Sequence, residues 1–203
     1  MIKIVHVAHA CFIIKNGEEK VIIDPYDDSL GYPPVKEETH HINYILASHN
    51  HYDHNYTENI SLLENTGTFK IQKINSFHDN EKGKLRGENI IHVIETYGIR
   101  VCHLGDLGHL LEEEQLKEIG NIDILLVPVG GTYTIDCKEA VEVVKQINPV
   151  TVIPMHYKTE KINLNIGPVD DFIGEIEEYY EVVRCNENYL NYVKTDEKKV
   201  YMI

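Results

Sequence analysis

The run Asp123-Ile124-Leu125-Leu126-Val127-Pro128-Val129 constrains the fold more than any other stretch of the chain. It is apolar at both alternating sets of positions and too short for an ordinary helix, so it reads as a strand covered on both faces. Such a strand requires a sheet with a layer on either side. The surrounding order of elements agrees: strands come first, then strands alternating with helices, which suits stacked sheets covered by helices, an α/β layered architecture. With 203 residues, the chain has the length of a single domain, 1–203, with room for a large core.

The opening 24 residues read as a meander of three strands, with Asn16-Gly17 as the hairpin signal and Asp24-Pro25 as the stop. Residues 26–41 are polar, carry Gly31 and Pro33-Pro34, and read as a long loop forming one wall of a pocket, with His40 and His41 given to solvent. Residues 57–64 read as a short helix, 69–71 and 72–77 as strands, and 89–95 and 99–104 as a strand pair joined across Tyr97-Gly98. His92 shares a face with Ile90 and Ile94 and is expected to be a satisfied core histidine. Residues 112–119, 137–147 and 170–180 read as helices, the second begun by a capping box of Asp136 and Glu139. Residues 150–153 and short segments near the end read as strands.

The short apolar run Tyr44-Ile45-Leu46-Ala47 is followed at once by Ser48-His49-Asn50-His51-Tyr52-Asp53-His54. His49, His51, Asp53 and His54 are four metal-competent groups within six residues, delivered where a buried strand ends. Two histidines two apart reach one ion from an extended segment, while Asp53 and His54 turn toward a second position. That spacing suits a two-metal site. His78, Asp106 and His156 each follow a predicted strand in the same way, and strand ends converge on one sheet edge in layered α/β folds. The expected arrangement is His49, His51 and His78 on a first ion, Asp53, His54 and His156 on a second, and Asp106 between them. Nitrogen and oxygen donors without cysteine suit Zn2+, and also Mn2+ or Fe2+. Asp24, at the end of its strand, either caps a turn or accepts an N–H bond from the ligand loop. The backbone at Gly130-Gly131-Thr132-Tyr133-Thr134 either holds an anion, which makes Gly131 and Thr134 substrate-binding candidates, or is a plain strand-to-helix turn.

A net charge of −14 argues against broad nucleic-acid binding, yet two dications would invert the field inside a pocket, so a small anionic substrate is compatible. No apolar run approaches the length of a membrane span. The first eleven residues are interrupted by His6 and His9 and read as mature protein rather than a signal. Cys11, Cys102, Cys137 and Cys185 form no close pair and are expected to be free thiols in a reducing, cytoplasmic setting.

The cluster His49-x-His51-x-Asp53-His54, with His78, Gly105-Asp106 and Ile153-Pro154-Met155-His156-Tyr157, resembles the metallo-β-lactamase superfamily over nearly the whole chain. Val7-Ala8-His9-Ala10-Cys11-Phe12, Ile23-Asp24-Pro25 and Cys102-His103-Leu104-Gly105-Asp106 are similar to the branch of metal-dependent hydrolases that includes L-ascorbate-6-phosphate lactonase. The resemblance implies a four-layer αβ/βα sandwich with a dinuclear site at one sheet edge, and Asp24 steadying the ligand loop. The Gly-His-Thr context common around the third histidine is replaced by Ser76-Phe77-His78-Asp79, which leaves His92 and His103 as alternatives for that ligand. Flavodiiron relatives carry a glutamate where His51 stands, so the histidine favours hydrolysis over oxygen chemistry.

The mechanism implied is attack by a metal-activated hydroxide, positioned by Asp53, on an ester, lactone or phosphoester of a small metabolite. His9, His103 and His109 are candidates to protonate the leaving group, or else residues that support the ligands from behind or fill the core. A phosphodiesterase or nuclease, and a non-catalytic metal-binding sensor or scaffold, are the competing readings. A homo-oligomer is compatible with a compact hydrolase of this size.

Overall fold

The computed structural model describes residues 1–32, 35, 41–58 and 60–203. Its first strands, β1 (Ile2–Ala8), β2 (Cys11–Lys15), β3 (Lys20–Ile23) and β4 (Tyr44–Leu46), join a late strand, β11 (Tyr189–Tyr192), in a five-stranded sheet of order β11-β1-β2-β3-β4. The second sheet takes β5 (Lys70–Phe77), β6 (Glu88–Thr96), β7 (Ile99–His103), β8 (Ile124–Pro128), β9 (Thr151–Met155), β10 (Glu181–Arg184) and β12 (Lys199–Met202), in the order β10-β12-β9-β8-β7-β6-β5. All five residues of β8 are buried, as a doubly covered strand must be. Residues 70–77 form one strand rather than two, because its whole length pairs with β6 from Lys70↔Glu95 to Phe77↔Glu88.

Two apolar layers hold this arrangement. Ile4, Phe12, Ile14 and Ile23 of the first sheet pack against Ile94, Val101, Leu126 and Ile153 of the second. On the far face of the second sheet, Leu125, Val127 and Val152 meet the apolar stripes of α1 (Glu113–Ile119), α2 (Cys137–Ile147) and α3 (Val169–Ile176). Asp136 caps α2 by accepting from the Lys138 and Glu139 amides, and Glu139 returns the bond, so the expected capping box is present. The outer face of the first sheet differs from the helical layer expected there. Among the described residues it is covered by loop side chains, Tyr26, Leu30, Tyr32, Ile42, Ile162 and Ile166, with one 3-10 turn at Asp28–Leu30.

The helix expected at 57–64 does not form among the described residues. Leu62 instead bridges Ile42 in parallel, and Ile42 exchanges backbone bonds with Ser61 and Leu63. Leu62 and Leu63 are exposed, so the segment has no apolar face to bury as a helix, and a backbone ladder to the neighbouring chain wins. His40, Pro33-Pro34 and Asn59, which belong to these expected loops and helix, lie outside the described residues.

The register decides where the loops meet. β3 and β4 are parallel with Ile23 opposite Leu46, and β7, β8 and β9 are parallel with His103 opposite Leu126 and Pro128 opposite Met155. β5 is two antiparallel steps from β7 and so runs in its direction. The β1–β2 turn lies at the same end, because Phe12 stands opposite Ile23. All these C-terminal ends therefore share one edge. Two backbone bonds close the sheets together there, Ile90 N–H to the Ser48 carbonyl (2.8 Å) and His156 N–H to the His9 carbonyl (3.1 Å).

Candidate metal centre

Each strand ending at this edge delivers a polar group. The loop after β4 supplies His49, His51, Asp53 and His54; His78 follows β5, Asp106 follows β7, His156 follows β9, and His9 sits in the turn between β1 and β2. Asp106 is the centre of the group. Its Oδ2 lies 3.1 Å from His78 Nε2, 3.3 Å from His54 Nε2 and 3.3 Å from His156 Nε2. Three sets of donor atoms lie within 4.8 Å of one another among the described residues: His49/His51/His78, His49/His54/Asp106 and His9/His54/His156.

Local geometry explains why Asp106 reaches this point. Gly105 takes a left-handed φ of 57°, and a side chain there would collide with Ser48 and Asn89. Gly108 lies against the His78 backbone just as closely, so both flanking glycines are required by approach. The Asn89 carboxamide completes the hold, accepting the Asp106 N–H (3.0 Å) while donating to Ser76 Oγ and the Leu104 carbonyl.

The imidazoles are oriented from behind. Asp24 accepts three bonds, from Ser48 N–H (2.6 Å), Ser48 O–H (2.7 Å) and His54 Nδ1–H (2.8 Å), which turns His54 Nε2 toward Asp106. Since Ser48 Oγ spends its proton on Asp24, it accepts from His49 Nδ1–H at 2.9 Å and leaves His49 Nε2 facing the cluster. His78 Nδ1–H donates to the Tyr133 carbonyl (3.0 Å), with the same result for its Nε2. Non-glycine residues with left-handed φ gather here: His9 (56°), Asp24 (50°), Thr132 (64°) and His156 (51°). Each such conformation costs on the order of 1 kcal/mol, and strain of this kind concentrates at functional sites.

The charges are interlocked. Burial pushes the Asp106 carboxyl up, but the imidazoles of His156 and His54 outweigh it and hold it well below the usual carboxylate range. Burial pulls His54 down, while Asp106 and Asp24 overcome this and raise it well above an ordinary histidine. Burial and neighbouring imidazoles lower His49 to about 3 and His9 to about 4. A fit to a metal follows from the donors themselves. His49 Nε2, His54 Nε2 and Asp106 Oδ1 are buried without a hydrogen-bond partner, and a set of imidazoles and one carboxylate without thiolates matches a borderline divalent cation.

Above the cluster opens a cavity of about 380 Å³. His51, Asp53, His78, Asp106 and His156 form its floor, and Tyr52, Leu85, Tyr133 and Leu164 its walls. Arg86, the one cation lining it among the described residues, had no signal in the sequence. Its guanidinium donates to the Thr132 carbonyl (2.9 Å), and its loop is folded around Asp79, which accepts the backbone N–H groups of Glu81, Gly83, Leu85 and Arg86.

Several sequence expectations change at this point. His103 is engaged at both nitrogens, accepting from Gly105 N–H (3.0 Å) and donating to the Ala10 carbonyl (2.8 Å), so it supplies neither a ligand atom nor a proton. His109 is likewise engaged, donating to the Leu110 carbonyl and accepting from Phe77 N–H. His92 is buried in the middle of β6, away from every donor cluster above, but neither ring nitrogen has a partner, so it is a core histidine without being a satisfied one. Gly131 N–H and the Thr134 hydroxyl both donate to the Ile135 carbonyl, so neither is presented to an anion. The 130–134 loop acts through its carbonyls instead, Tyr133 on His78 and Thr132 on Arg86. The four cysteines form no disulfide with one another.

Comparison with known proteins agrees with the geometry. Residues 3–156 match the model of the beta-lactamase superfamily domain. The chain belongs to the metallo-β-lactamase superfamily. It is similar to a UPF0173 metal-dependent hydrolase of Thermoplasma volcanium, 31% identical over 190 residues that span 78% of this chain and 84% of that one. Among solved structures, it resembles a metallo-β-lactamase superfamily protein of Thermotoga maritima, 37% identical with a TM-score of 0.75, covering 100% of this chain and 98% of that chain. A metallo hydrolase from Ignicoccus hospitalis shares the fold, with 19% identity, a TM-score of 0.68 and coverage of 87% and 91%. This superfamily member is a metal-dependent hydrolase, and no helix among its described residues is long and apolar enough to cross a membrane.

Proposed function

We propose that the hydrolase holds two divalent ions, Zn2+ first and Mn2+ or Fe2+ as alternatives, and cleaves an ester, lactone or phosphoester of a small anionic metabolite. The observation that carries this reading is the single oxygen Asp106 Oδ2, within 3.1 to 3.3 Å of three imidazoles drawn from different strand ends. His49, His51 and His78 would hold one ion and Asp53, His54 and His156 the other, with the Asp106 carboxylate within reach of both sets. Two such ions would lower the pKa of a bound water to about 7 and take up negative charge developing in the transition state.

The chain's own groups divide the remaining work. Asp53 lines the cavity as a carboxylate whose pKa falls to about 2: burial opposes this, and His9 and His54 overcome it. As a carboxylate it is placed to orient the attacking water by accepting a hydrogen bond from it. Arg86, pinned on one side by Thr132, keeps its other N–H groups for an anionic group of the substrate, in a protein whose net charge of −14 repels polyanions elsewhere. Tyr52, Leu85 and Leu164 wall the cavity and limit its reach to a small molecule.

Metal analysis of wild type and Asp106→Ala, followed by a panel of anionic and uncharged esters, lactones and phosphoesters, tests the reading. Near two ions in wild type, at most one in the variant, and turnover confined to anionic substrates are expected. One ion or none in wild type after addition of zinc or manganese overturns the two-ion site, and equal turnover of uncharged substrates overturns the role of Arg86.

A further inference from the structure

We propose that the substrate is an ester or lactone with an apolar body, acyl or aromatic, and a single carboxylate, rather than a polyhydroxylated sugar derivative. The inference rests on the hydrolase reading above and narrows its substrate class.

The lining of the cavity carries it. Outside the candidate metal site, the described residues that line the cavity are Tyr52, Leu85, Arg86, Tyr133 and Leu164. Leu85 is 67% exposed, yet its backbone is fixed: its N–H donates to Asp79 Oδ2 (3.0 Å), and the Arg86 N–H donates to the same oxygen (2.7 Å). One buried carboxylate thus holds two consecutive residues, the first presenting an apolar side chain and the second a guanidinium. Tyr52 and Tyr133 are exposed beside them, so the mouth offers apolar surface that a substrate would take out of water.

A count of hydrogen-bonding groups argues against a sugar. Such a molecule carries a hydroxyl on nearly every carbon, and each one leaving water needs a partner. The groups nearest the cavity are engaged already. Leu85 and Arg86 give their N–H groups to Asp79, Gly131 N–H and the Thr134 hydroxyl donate to the Ile135 carbonyl, and Tyr133 N–H donates to the Gly131 carbonyl (2.7 Å). The Thr132, Tyr133 and Leu164 carbonyls accept from Arg86, His78 and Lys158. Among the described lining residues, the side-chain polar groups left outside the metal site are the Arg86 guanidinium and the Tyr52 and Tyr133 hydroxyls.

The charge of the substrate follows from the same residues. The Arg86 guanidinium lies over the Tyr133 ring, 5.9 Å from its centroid, and is tied through Nη2 to the Thr132 carbonyl. It is the one cationic side chain lining the cavity among the described residues, and its planar fork matches one carboxylate. A phosphate monoester would bring a second charge that no further lining side chain answers.

The deciding experiment compares 4-nitrophenyl esters on wild-type protein shown to hold its two ions. Hydrolysis adds water across the acyl C–O bond and releases 4-nitrophenol with the free acid, and each kcat/KM is divided by the spontaneous rate at the same pH. The monoesters of adipate and galactarate share a carbon skeleton and a free carboxylate, and differ only in the hydroxyls on the interior carbons. A preference for the adipate ester of about 100-fold or more is expected, the discrimination that an apolar site makes against an added hydroxyl. The hexanoate ester, which lacks the charge, and the 6-phosphooxyhexanoate ester, which doubles it, are each expected to be about 10-fold worse than the adipate ester. Turnover of the galactarate ester as fast as the adipate ester overturns the apolar body, and preference for the phosphate ester overturns the carboxylate. If the protein cleaves other esters, lactones or phosphoesters but not the adipate ester, this inference falls and the hydrolase reading stands; if it cleaves none, both fall. Leu85→Gln is the second measurement, because the exposed side chain can change while the backbone bond to Asp79 is kept. The preference for adipate over galactarate should shrink about 10-fold, with metal content and urea unfolding unchanged. An unaltered preference overturns the role of Leu85.

Discussion

The two sides of the centre are built from the same residue type and set in different surroundings. On one side, His51 is exposed and lines the cavity with the buried His78, His49 stands half-buried beside them, and the rings of His49 and His78 are steered by Ser48 Oγ and the Tyr133 carbonyl. His9, His54 and His156 are all buried, and among them only His54 has a ring hydrogen bond from behind, to Asp24. The more open side is built mainly on a loop of bends and turns, with the His54 and Asn55 N–H groups donating to the His51 carbonyl, and on His78 after β5. The buried side is part of the joint between the two sheets, so its geometry is bound up with the fold.

The largest expected effect breaks the buried side. Asp24→Asn leaves one oxygen for three donors that now share a carboxylate, and breaking a buried pair of this kind costs about 3–5 kcal/mol. Urea unfolding of the metal-free protein measures it; a loss below about 1 kcal/mol would mean that the joint does not depend on Asp24. Folding lowers the Asp24 pKa, burial being outweighed by His54 and His103, so this stabilisation is full above the ordinary value of 3.8 and is lost as pH falls from there. Metal-free wild type should therefore lose stability in that range more steeply than Asp24→Asn.

Chelation sharpens the contrast next. If exposure governs release, the ion on the open side leaves first, and a histidine NMR spectrum should change at His51 while His54 keeps its bound signal. Simultaneous loss in one phase would show instead that Asp106 couples the two sides too tightly to separate. The smallest effect concerns Ser48, whose hydroxyl links them by giving its proton to Asp24 and accepting from His49. Ser48→Ala should cost about 1–3 kcal/mol and lower zinc affinity about 10-fold, chiefly at the open side. Equal weakening of both ions would move Ser48 to the buried half.

Much of this architecture is legible in the order of residues alone. Periodicity and punctuation place β8, β9 and α2, and the clustering of His49, His51, Asp53 and His54 after an apolar run locates the edge. His78 is placed by the same rule, that polar groups at the ends of parallel strands converge. The helix expected at 57–64 fails because local propensity is overridden by a long-range backbone bridge to Ile42. His103 and His109 look reactive from their position in sequence, yet their nitrogens are consumed by carbonyls and amides that a linear reading cannot bring near.

The sequence by itself determined which residue types stand at the ends of which strands, because alternation, turn residues and donor chemistry are local properties. Only the tertiary structure decided what those residues do. The slip between β1 and β2 turns His9 inward, the Tyr133 and Thr132 carbonyls fix His78 and Arg86, and Asp24 selects the tautomer of His54. Each of these is set by a contact between segments apart in the chain or by the pairing of strands, and such contacts exist only once the two sheets have closed on their shared core.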